Sequence, residues 1–262
     1  MSPDWIAVDW GTSNLRAWAM GPDGVLAEVQ SDDGMGKLAR DGFEPALRRL
    51  IGPWLAAEPV PVIACGMVGA RQGWAEAPYR AVPCAPVARG EETQIAGVLA
   101  LHPQFDGVIC LPGTHSKWAQ VSAGEVVSFQ THMTGEMFAL LSGQSVLRHS
   151  MTTPGWDDAA FDAGAAEGLS RPERLMARLF SLRAESLLHG LGAAQARARL
   201  SGLLIGAEIA AARPYWLGQR VVLVGGAALS ASYARALASQ GLTAETLDAT
   251  ACTLAGLAAA RP

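Results

Sequence analysis

The chain has 262 residues, with 20 Lys+Arg against 24 Asp+Glu and a formal net charge of −4, a length that suits roughly one to two domains of ordinary size. Hydrophobic residues make up 50% and charged residues 17%, enough to build a full core and far from a disordered composition. Lys37 and Lys117 are its only lysines; a mildly acidic chain without lysine clusters is a poor nucleic-acid binder.

The start, Met1-Ser2-Pro3-Asp4, lacks a basic segment followed by an apolar one, so no signal peptide is expected. Residues 5–10 form a short apolar run ending in Asp9-Trp10, which suits a buried strand. The turn-rich Gly11-Thr12-Ser13-Asn14 leads into a second strand at 15–20. Gly21-Pro22-Asp23-Gly24 is a strong turn, and 25–30 alternates as a third strand. Residues 43–55 have helical apolar spacing, interrupted near the end by Gly52-Pro53. A buried strand at 60–65 is followed by the loop Gly66-Met67-Val68-Gly69 and an irregular stretch at 71–89. Gly90-Glu91-Glu92 opens a helix to about Leu101, its acids placed where the helix dipole favours them.

The opening pattern then returns. A strand at 107–111, the turn Pro112-Gly113-Thr114-His115-Ser116, a strand at 117–121, a turn and a strand at 125–130 repeat residues 4–30 in pattern, though not in identity. Helical spacing follows at 134–147, 163–179, 182–191 and 194–213. The strand at 220–224 runs through Gly225-Gly226-Ala227 into a helix at 229–240; a last strand at 243–247 and a helix at 251–260 close the chain. The four cysteines (Cys65, Cys84, Cys110, Cys252) form no C-x-x-C pair, which speaks against a structural zinc, and Cys65 and Cys110 read as buried reduced thiols. Glu208 breaks the longest apolar stretch below bilayer length, so no membrane partner is expected and the chain reads as cytoplasmic.

The repeated hairpin carries chemistry. A Gly-Thr turn between strands can gather backbone N–H groups and hydroxyls in one concavity, the donors that phosphate oxygens need. Two such turns, one per half, could hold a polyphosphate from both sides, and Asp9, ending a buried strand, could organise Mg2+ directly or through water. The alternative is an Asp9 that caps the turn at Gly11-Thr12. No Walker pattern occurs, and Val224-Gly225-Gly226-Ala227 lacks the full dinucleotide spacing.

The motifs from Val8 to Trp18, Gly66-Met67-Val68-Gly69 with Gly73-Trp74 and Ala77-Pro78-Tyr79, Arg89-Gly90-Glu91-Glu92-Thr93-Gln94, Pro112 to Trp118, Met133-Thr134-Gly135-Glu136 and Ser201 to Glu208 resemble, in order, those of 2-dehydro-3-deoxygalactonokinases. The resemblance spans nearly the whole chain. It implies an α/β fold of the acetate and sugar kinase, heat-shock ATPase and actin superfamily, an actin-like ATPase fold with two ribonuclease-H-like domains. Each would carry a mixed five-stranded sheet with helices, around a nucleotide cleft. The first domain would take residues 1–105 and the second 106–262. The implied reaction is ATP-dependent phosphorylation of 2-dehydro-3-deoxy-D-galactonate on its 6-hydroxyl, with ATP and Mg2+ as cofactors. One departure is visible: the family has a longer stretch before Arg89-Gly90, where this chain has only residues 84–88.

By that resemblance Glu91, or its neighbour Glu92, is the base that accepts the hydroxyl proton, although two acids in a first helical turn also simply suit the dipole. Gly11, Thr12 and Ser13 contact phosphate from one side, and Gly113, Thr114 and Ser116 from the other. His115 either donates to phosphate or is merely exposed, and Lys117 either neutralises charge or is a solvated edge residue. Gly225, Gly226 and Ala227 would leave room for adenosine. For the substrate, Arg16 and Arg71 could fork onto the acid end, Trp74 and Tyr79 could wall the pocket, and Asn14, Gly66 and Met67 would line it. Thr134-Gly135-Glu136 either helps to position phosphate or sugar, or caps a helix. The alternatives are a kinase of the same fold for another sugar acid, a nucleotide-switched interaction protein, or a nucleotide-binding sugar-acid protein without catalysis.

Overall fold

The computed structural model describes residues 3–55, 59–76 and 90–261. The chain divides into two compact units, one of residues 1–105, 123–126 and 248–262, the other of 106–122 and 127–247.

The first unit opens with β1 (Trp5–Trp10), β2 (Leu15–Gly21) and β3 (Gly24–Ser31). Two short 3-10 turns, Met35–Lys37 and Arg40–Gly42, precede α1 (Phe43–Ile51) and a further 3-10 turn, Gly52–Trp54. Then come β4 (Val62–Gly66), the 3-10 turn Met67–Gly69 and α2 (Gly90–Leu101). The described sheet has the order β3-β2-β1-β4, with β1 antiparallel to β2 and parallel to β4. It therefore holds four strands among the described residues, where five were expected.

Strand β1 is buried on both faces, and its two-residue period sorts its side chains. Ile6, Val8 and Trp10 join Phe43, Leu47 and Ile51 of α1 in one core. Trp5 and Ala7 join Trp18, Cys65 and Leu257 in another. Asp9 belongs to the second set by parity, and this decides what it meets.

The second unit repeats the arrangement. Strands β5 (Gly107–Leu111), β6 (Ser116–Ser122) and β7 (Glu125–His132) are followed by α3 (Thr134–Gly143). A 3-10 turn at Val146–Ser150 leads to α4 (Asp158–Ser170), α5 (Leu175–Leu188), α6 (Ala193–Ala211) and α7 (Arg213–Trp216). Strand β8 (Val221–Gly225), α8 (Ala227–Ala238) and β9 (Glu245–Asp248) complete it. The sheet order is β7-β6-β5-β8-β9, with β5 antiparallel to β6 and parallel to β8. The duplicated strand–turn–strand pattern of the sequence is thus a duplicated sheet motif.

Two helix boundaries differ from the sequence reading. The spacing put one helix over 163–179 and the next over 182–191, whereas the break falls at Arg171 and Pro172. Proline has no N–H to donate and pushes the residue before it out of helical geometry. The helix expected at 134–147 ends at Gly143 and continues only as 3-10 turn. Helices α4 and α6 cross closely: a Cβ on Gly164 or Gly168 would lie 2.5 or 2.4 Å from α6 backbone, and one on Gly202 or Gly206 2.2 or 2.3 Å from α4 backbone.

The last helix, α9 (Ala249–Ala259), belongs to the first unit, although the division at 105/106 counted it with the second half. It packs on α2 so tightly that a Cβ on Gly97 would stand 1.8 Å from Cys252 O, and one on Gly256 2.0 Å from Thr93 O. A contact distant in sequence leaves no local periodic signal, so the strand and helix pattern did not reveal it.

Cys65, Cys110 and Cys252 are free and buried, as read; Cys84 lies outside the described residues. Burial, aided by Glu208, holds the Cys110 thiol well above its ordinary range. Burial and then Asp248 push Cys252 up to about 11. No helix among the described residues is long and apolar enough to cross a membrane.

The α2–α9 contact makes a direct prediction. Gly97→Ala places a methyl against fixed backbone and should destabilise by about 2–3 kcal/mol through overpacking. At this chain length that lowers Tm by roughly 5–10 °C. Gly143→Ala, whose Cβ meets open space, should leave Tm within about 2 °C. Equal melting of the two variants by scanning calorimetry would rule out the close crossing.

Candidate active site

In the first unit the site grows from the end of β1. Asp9 points to the side of β1 that α2 and α9 cover. Its Oδ2 accepts from Arg16 Nη2 at 2.5 Å, and its Oδ1 lies 3.9 Å from the Cys65 thiol. Register explains both neighbours: Arg16 pairs with Asp9 across β1–β2, and Cys65 pairs with Asp9 across β1–β4. Burial, the Asp9 charge and their hydrogen bond together raise the Cys65 thiol far above its usual range, so it stays protonated.

Gly66 follows at φ +94, and a Cβ there would stand 2.6 Å from Trp10 O and 3.2 Å from Asp9 Oδ1. Glycine is therefore required beside the carboxylate. The start of α2 rests on it, since a Cβ on Gly90 would lie 3.7 Å from Gly66 Cα. Glu91 and Glu92 are the next two residues, both half-buried. Asp9, Gly66, Met67 and the two glutamates thus gather at one edge of this unit.

The turn between β1 and β2 is closed by Gly11 N donating to Asn14 O at 2.9 Å, so the Gly11 amide, expected to meet phosphate, is already engaged. Residues that the sequence reading left unassigned brace this turn. Met35 N donates to Gly11 O at 3.0 Å and Gly36 N to Thr12 O at 2.9 Å. Gly34 fits beneath it, where a Cβ would come within 2.2–2.5 Å of the backbone of residues 12–14. Trp10 Nε1 donates to Asp33 O at 2.8 Å and fixes the brace. A trans peptide is planar, so its C=O and the next N–H point in opposite directions. With the carbonyls of Gly11 and Thr12 tied to the brace, the amides of Thr12 and Ser13 turn away from it, and both residues are exposed. The available signal was the Asp32-Asp33-Gly34 cluster with Gly36 two residues on.

The second unit builds its turn likewise. Glu136 N donates to Thr114 O at 2.9 Å, and Gly135 at the start of α3 sits where a Cβ would be 2.3 Å from Gly113 O. The His115 amide, in the same peptide as Thr114 O, is turned the other way. His115 Nε2 and Glu136 Oε2 are 2.6 Å apart, and Lys117 Nζ donates to His115 O at 3.1 Å. Gly113, Thr114 and His115 have partial or full exposure. Gly225 at the end of β8 lies against this turn, a Cβ there being 2.9 Å from Pro112 O. Gly226 caps α8 and Ala227 begins it, and a Cβ on Gly226 would meet nothing within 4 Å.

Several expected roles change with the geometry. Ser116 was expected to touch phosphate, but it is fully buried and its hydroxyl contacts Tyr233 OH at 2.8 Å. Arg16, expected at the acid end of the substrate, is spent on Asp9, with its guanidinium 5.3 Å from the Trp18 ring. Trp74, expected in a pocket wall, stacks on Phe43 at 6.5 Å and meets Trp10 edge-on at 6.3 Å, which is core packing. Arg71 and Asn14 are exposed. Tyr79 lies outside the described residues.

The donor set suits a phosphorylated ligand that brings its own cation. Among the described residues no group of three His, Cys, Asp or Glu could cage a metal. Magnesium on a polyphosphate needs only one or two carboxylates beside phosphate and water, and Asp9 fits that part.

The family model described as 2-keto-3-deoxy-galactonokinase matches residues 9–88 and 85–260. The chain is 39% identical to "Probable 2-dehydro-3-deoxygalactonokinase DgoK1" of Rhizobium meliloti (strain 1021), covering 98% of this chain and 96% of that one. It is 36% identical to the 2-dehydro-3-deoxygalactonokinase of Escherichia coli (strain K12), covering 92% and 91%. The crystal structure "of a putative 2-dehydro-3-deoxygalactonokinase protein from Sinorhizobium meliloti" superposes with TM-score 0.89 at 39% identity, over 98% of this chain and 97% of that one. The activator of the 2-hydroxyisocaproyl-CoA dehydratase from Clostridium difficile shares the fold at 15% identity with TM-score 0.54, over 98% of this chain and 92% of that one, and MreB 5 of Spiroplasma citri does so at 12% with TM-score 0.51, over 96% and 94%. The chain belongs to the 2-keto-3-deoxy-galactonokinase family.

Proposed function

We propose that this protein is an ATP-dependent kinase that phosphorylates 2-dehydro-3-deoxy-D-galactonate on its 6-hydroxyl, giving the 6-phosphate and ADP. The observation that carries the reading is the gathering of Asp9, Gly66 and the Glu91–Glu92 helix start beside a braced turn whose Thr12 and Ser13 amides are free of the brace. Family membership supports the same reading.

The substrate 6-hydroxyl oxygen attacks the terminal phosphorus, and the bond from that phosphorus to the ADP oxygen breaks. Glu91, with Glu92 as its neighbour, takes the hydroxyl proton. The turn at 11–13, and in the second unit the turn at 113–115, each offer backbone N–H groups suited to phosphate oxygens, where charge shifts during transfer. Thr114 and His115 belong to that set, with Lys117 lending charge nearby. Asp9 is the residue that would hold a magnesium ion brought in with the nucleotide, and the ion would there offset phosphate charge. Gly225, Gly226 and Ala227 leave adenosine room against the backbone. Asn14, Gly66, Met67 and Arg71 are assigned to the sugar acid. The cytoplasm, where ATP is made and thiols stay reduced, suits buried free cysteines.

One observation favours a second reading, a kinase of the same fold for a different sugar acid. The family match comes in two stretches that meet at residues 85–88, where the sequence is shorter than its relatives' pattern.

Two experiments test these readings. In a coupled ADP-release assay over a panel of sugar acids, 2-dehydro-3-deoxygalactonate should give the highest kcat/KM. A better acid elsewhere in the panel would establish the second reading, and no turnover with any acid would leave a binding protein. Asp9→Asn and Glu91→Gln should each lower kcat by about 10²–10⁴-fold, the usual worth of a charged group aimed at the reacting atoms. Circular dichroism should show an intact fold. Full turnover in the Glu91→Gln, Glu92→Gln double variant would remove the base assignment.

A further inference from the structure

Behind the second turn lies a buried polar chain that the reaction as drawn does not use. Glu208, on α6, is 3% exposed. Its Oε1 accepts from Trp118 Nε1 on β6 at 2.8 Å, and its Oε2 accepts from Tyr233 OH on α8 at 2.6 Å. Tyr233 OH in turn meets Ser116 Oγ at 2.8 Å. Ser116, Trp118 and Tyr233 are themselves buried to 1% exposure or less.

The proton inventory orders this chain. A phenol has one proton, and Tyr233 gives it to the carboxylate; its oxygen is then the acceptor for the Ser116 hydroxyl. Burial and Glu208 hold the Tyr233 phenol well above its usual range, so it remains a donor. Every bond therefore points toward Glu208, whose two oxygens are the acceptors at the end of the chain. In a buried site such directed bonds are strong and leave few alternatives.

The ends of the chain give it meaning. Ser116 is the residue directly after the turn at 113–115. Tyr233 lies two helical turns into α8, the helix that Gly226 caps. We infer that Glu208, through Tyr233 and Ser116, is a positioning residue for the nucleotide: it fixes the turn at 113–115 against the start of α8. The inference rests on the reading above that these two features take the phosphates and the adenosine of ATP. Side chains that touch no substrate would thus set the affinity for one of two substrates.

Conservative variants probe this directly. Ser116→Ala removes one atom and leaves both Glu208 bonds intact. Tyr233→Phe cuts the chain in the middle. In Glu208→Gln the amide presents N–H either to the Trp118 donor or to Tyr233, so the order of the chain must break or reverse. Leu182→Ala, a fully buried position in a different core of the same unit, controls for lost stability.

The test is calorimetric titration with Mg·ATP, alongside KM for the sugar acid. Ser116→Ala and Tyr233→Phe should weaken ATP binding about tenfold, the scale of a lost buried hydrogen bond. The sugar-acid KM should stay within about twofold, since that ligand is assigned to residues of the first unit. Leu182→Ala should lower Tm without moving ATP affinity. Wild-type ATP affinity in folded Ser116→Ala and Tyr233→Phe overturns the inference, as does an equal loss in Leu182→Ala. If the wild type binds ATP but phosphorylates no acid, only the kinase reading falls and the affinity comparison still decides. A wild type that binds no ATP overturns both.

Discussion

The planarity of the peptide bond, combined with a brace behind each turn, is the constraint on which the candidate site depends. A free glycine-threonine turn can rotate its peptide units between several orientations. Here the carbonyls of Gly11 and Thr12 are held by the amides of Met35 and Gly36, and the carbonyl of Thr114 by the amide of Glu136. Each tied carbonyl forces the following N–H to the opposite side. Donors so fixed need no reorganisation when an anion arrives, which is the property that electrostatic stabilisation of a transferring phosphoryl group requires. The braces demand close packing, and Gly34 and Gly135 supply it by having no Cβ.

Around these turns the two units solve a similar problem with different chemistry. In the first, strand parity sends Asp9 to the α2 side, where Arg16 and Cys65 flank its carboxylate. That carboxylate keeps 18% of its side-chain surface exposed. In the second, the acid behind the turn is Glu208, sunk in the core and satisfied by Trp118 and Tyr233. A buried carboxylate is tolerated only with such donors, and one of them, Tyr233, also meets Ser116 directly after the turn. One unit therefore leaves its carboxylate partly exposed beside Arg16, and the other encloses its carboxylate between Trp118 and Tyr233.

Much of this was legible in the chain itself. The strands followed from apolar runs and two-residue alternation, and the repeated strand–turn–strand pattern corresponds to the two matching sheets. The helix starting at Gly90 was marked by its acids. Signals weakened where periodicity continued through a break: the apolar spacing at 163–191 hid the interruption that Pro172 makes. They vanished where a residue's role depends on what lies opposite. Ser116 reads as a phosphate ligand beside Gly113 and Thr114, yet alternation along β6 turns its hydroxyl inward to Tyr233, 117 residues away. Arg16 and Trp74 carry the right groups for a sugar-acid pocket, but Asp9 and Phe43 claim them.

The amino-acid sequence alone determined the order of strands and helices, the duplicated turns and the acids beside them, because each is written in local spacing, turn chemistry and residue type. Tertiary structure decided the rest: the return of α9 to the first unit, the braces at 34–36 and 135–136, and the enclosure of Glu208 between Trp118 and Tyr233. These are contacts between segments far apart in the chain, and the helix return and the braces are made through backbone atoms or glycines. Backbone groups are the same in every residue, so no residue type announces which carbonyl will be tied to which amide.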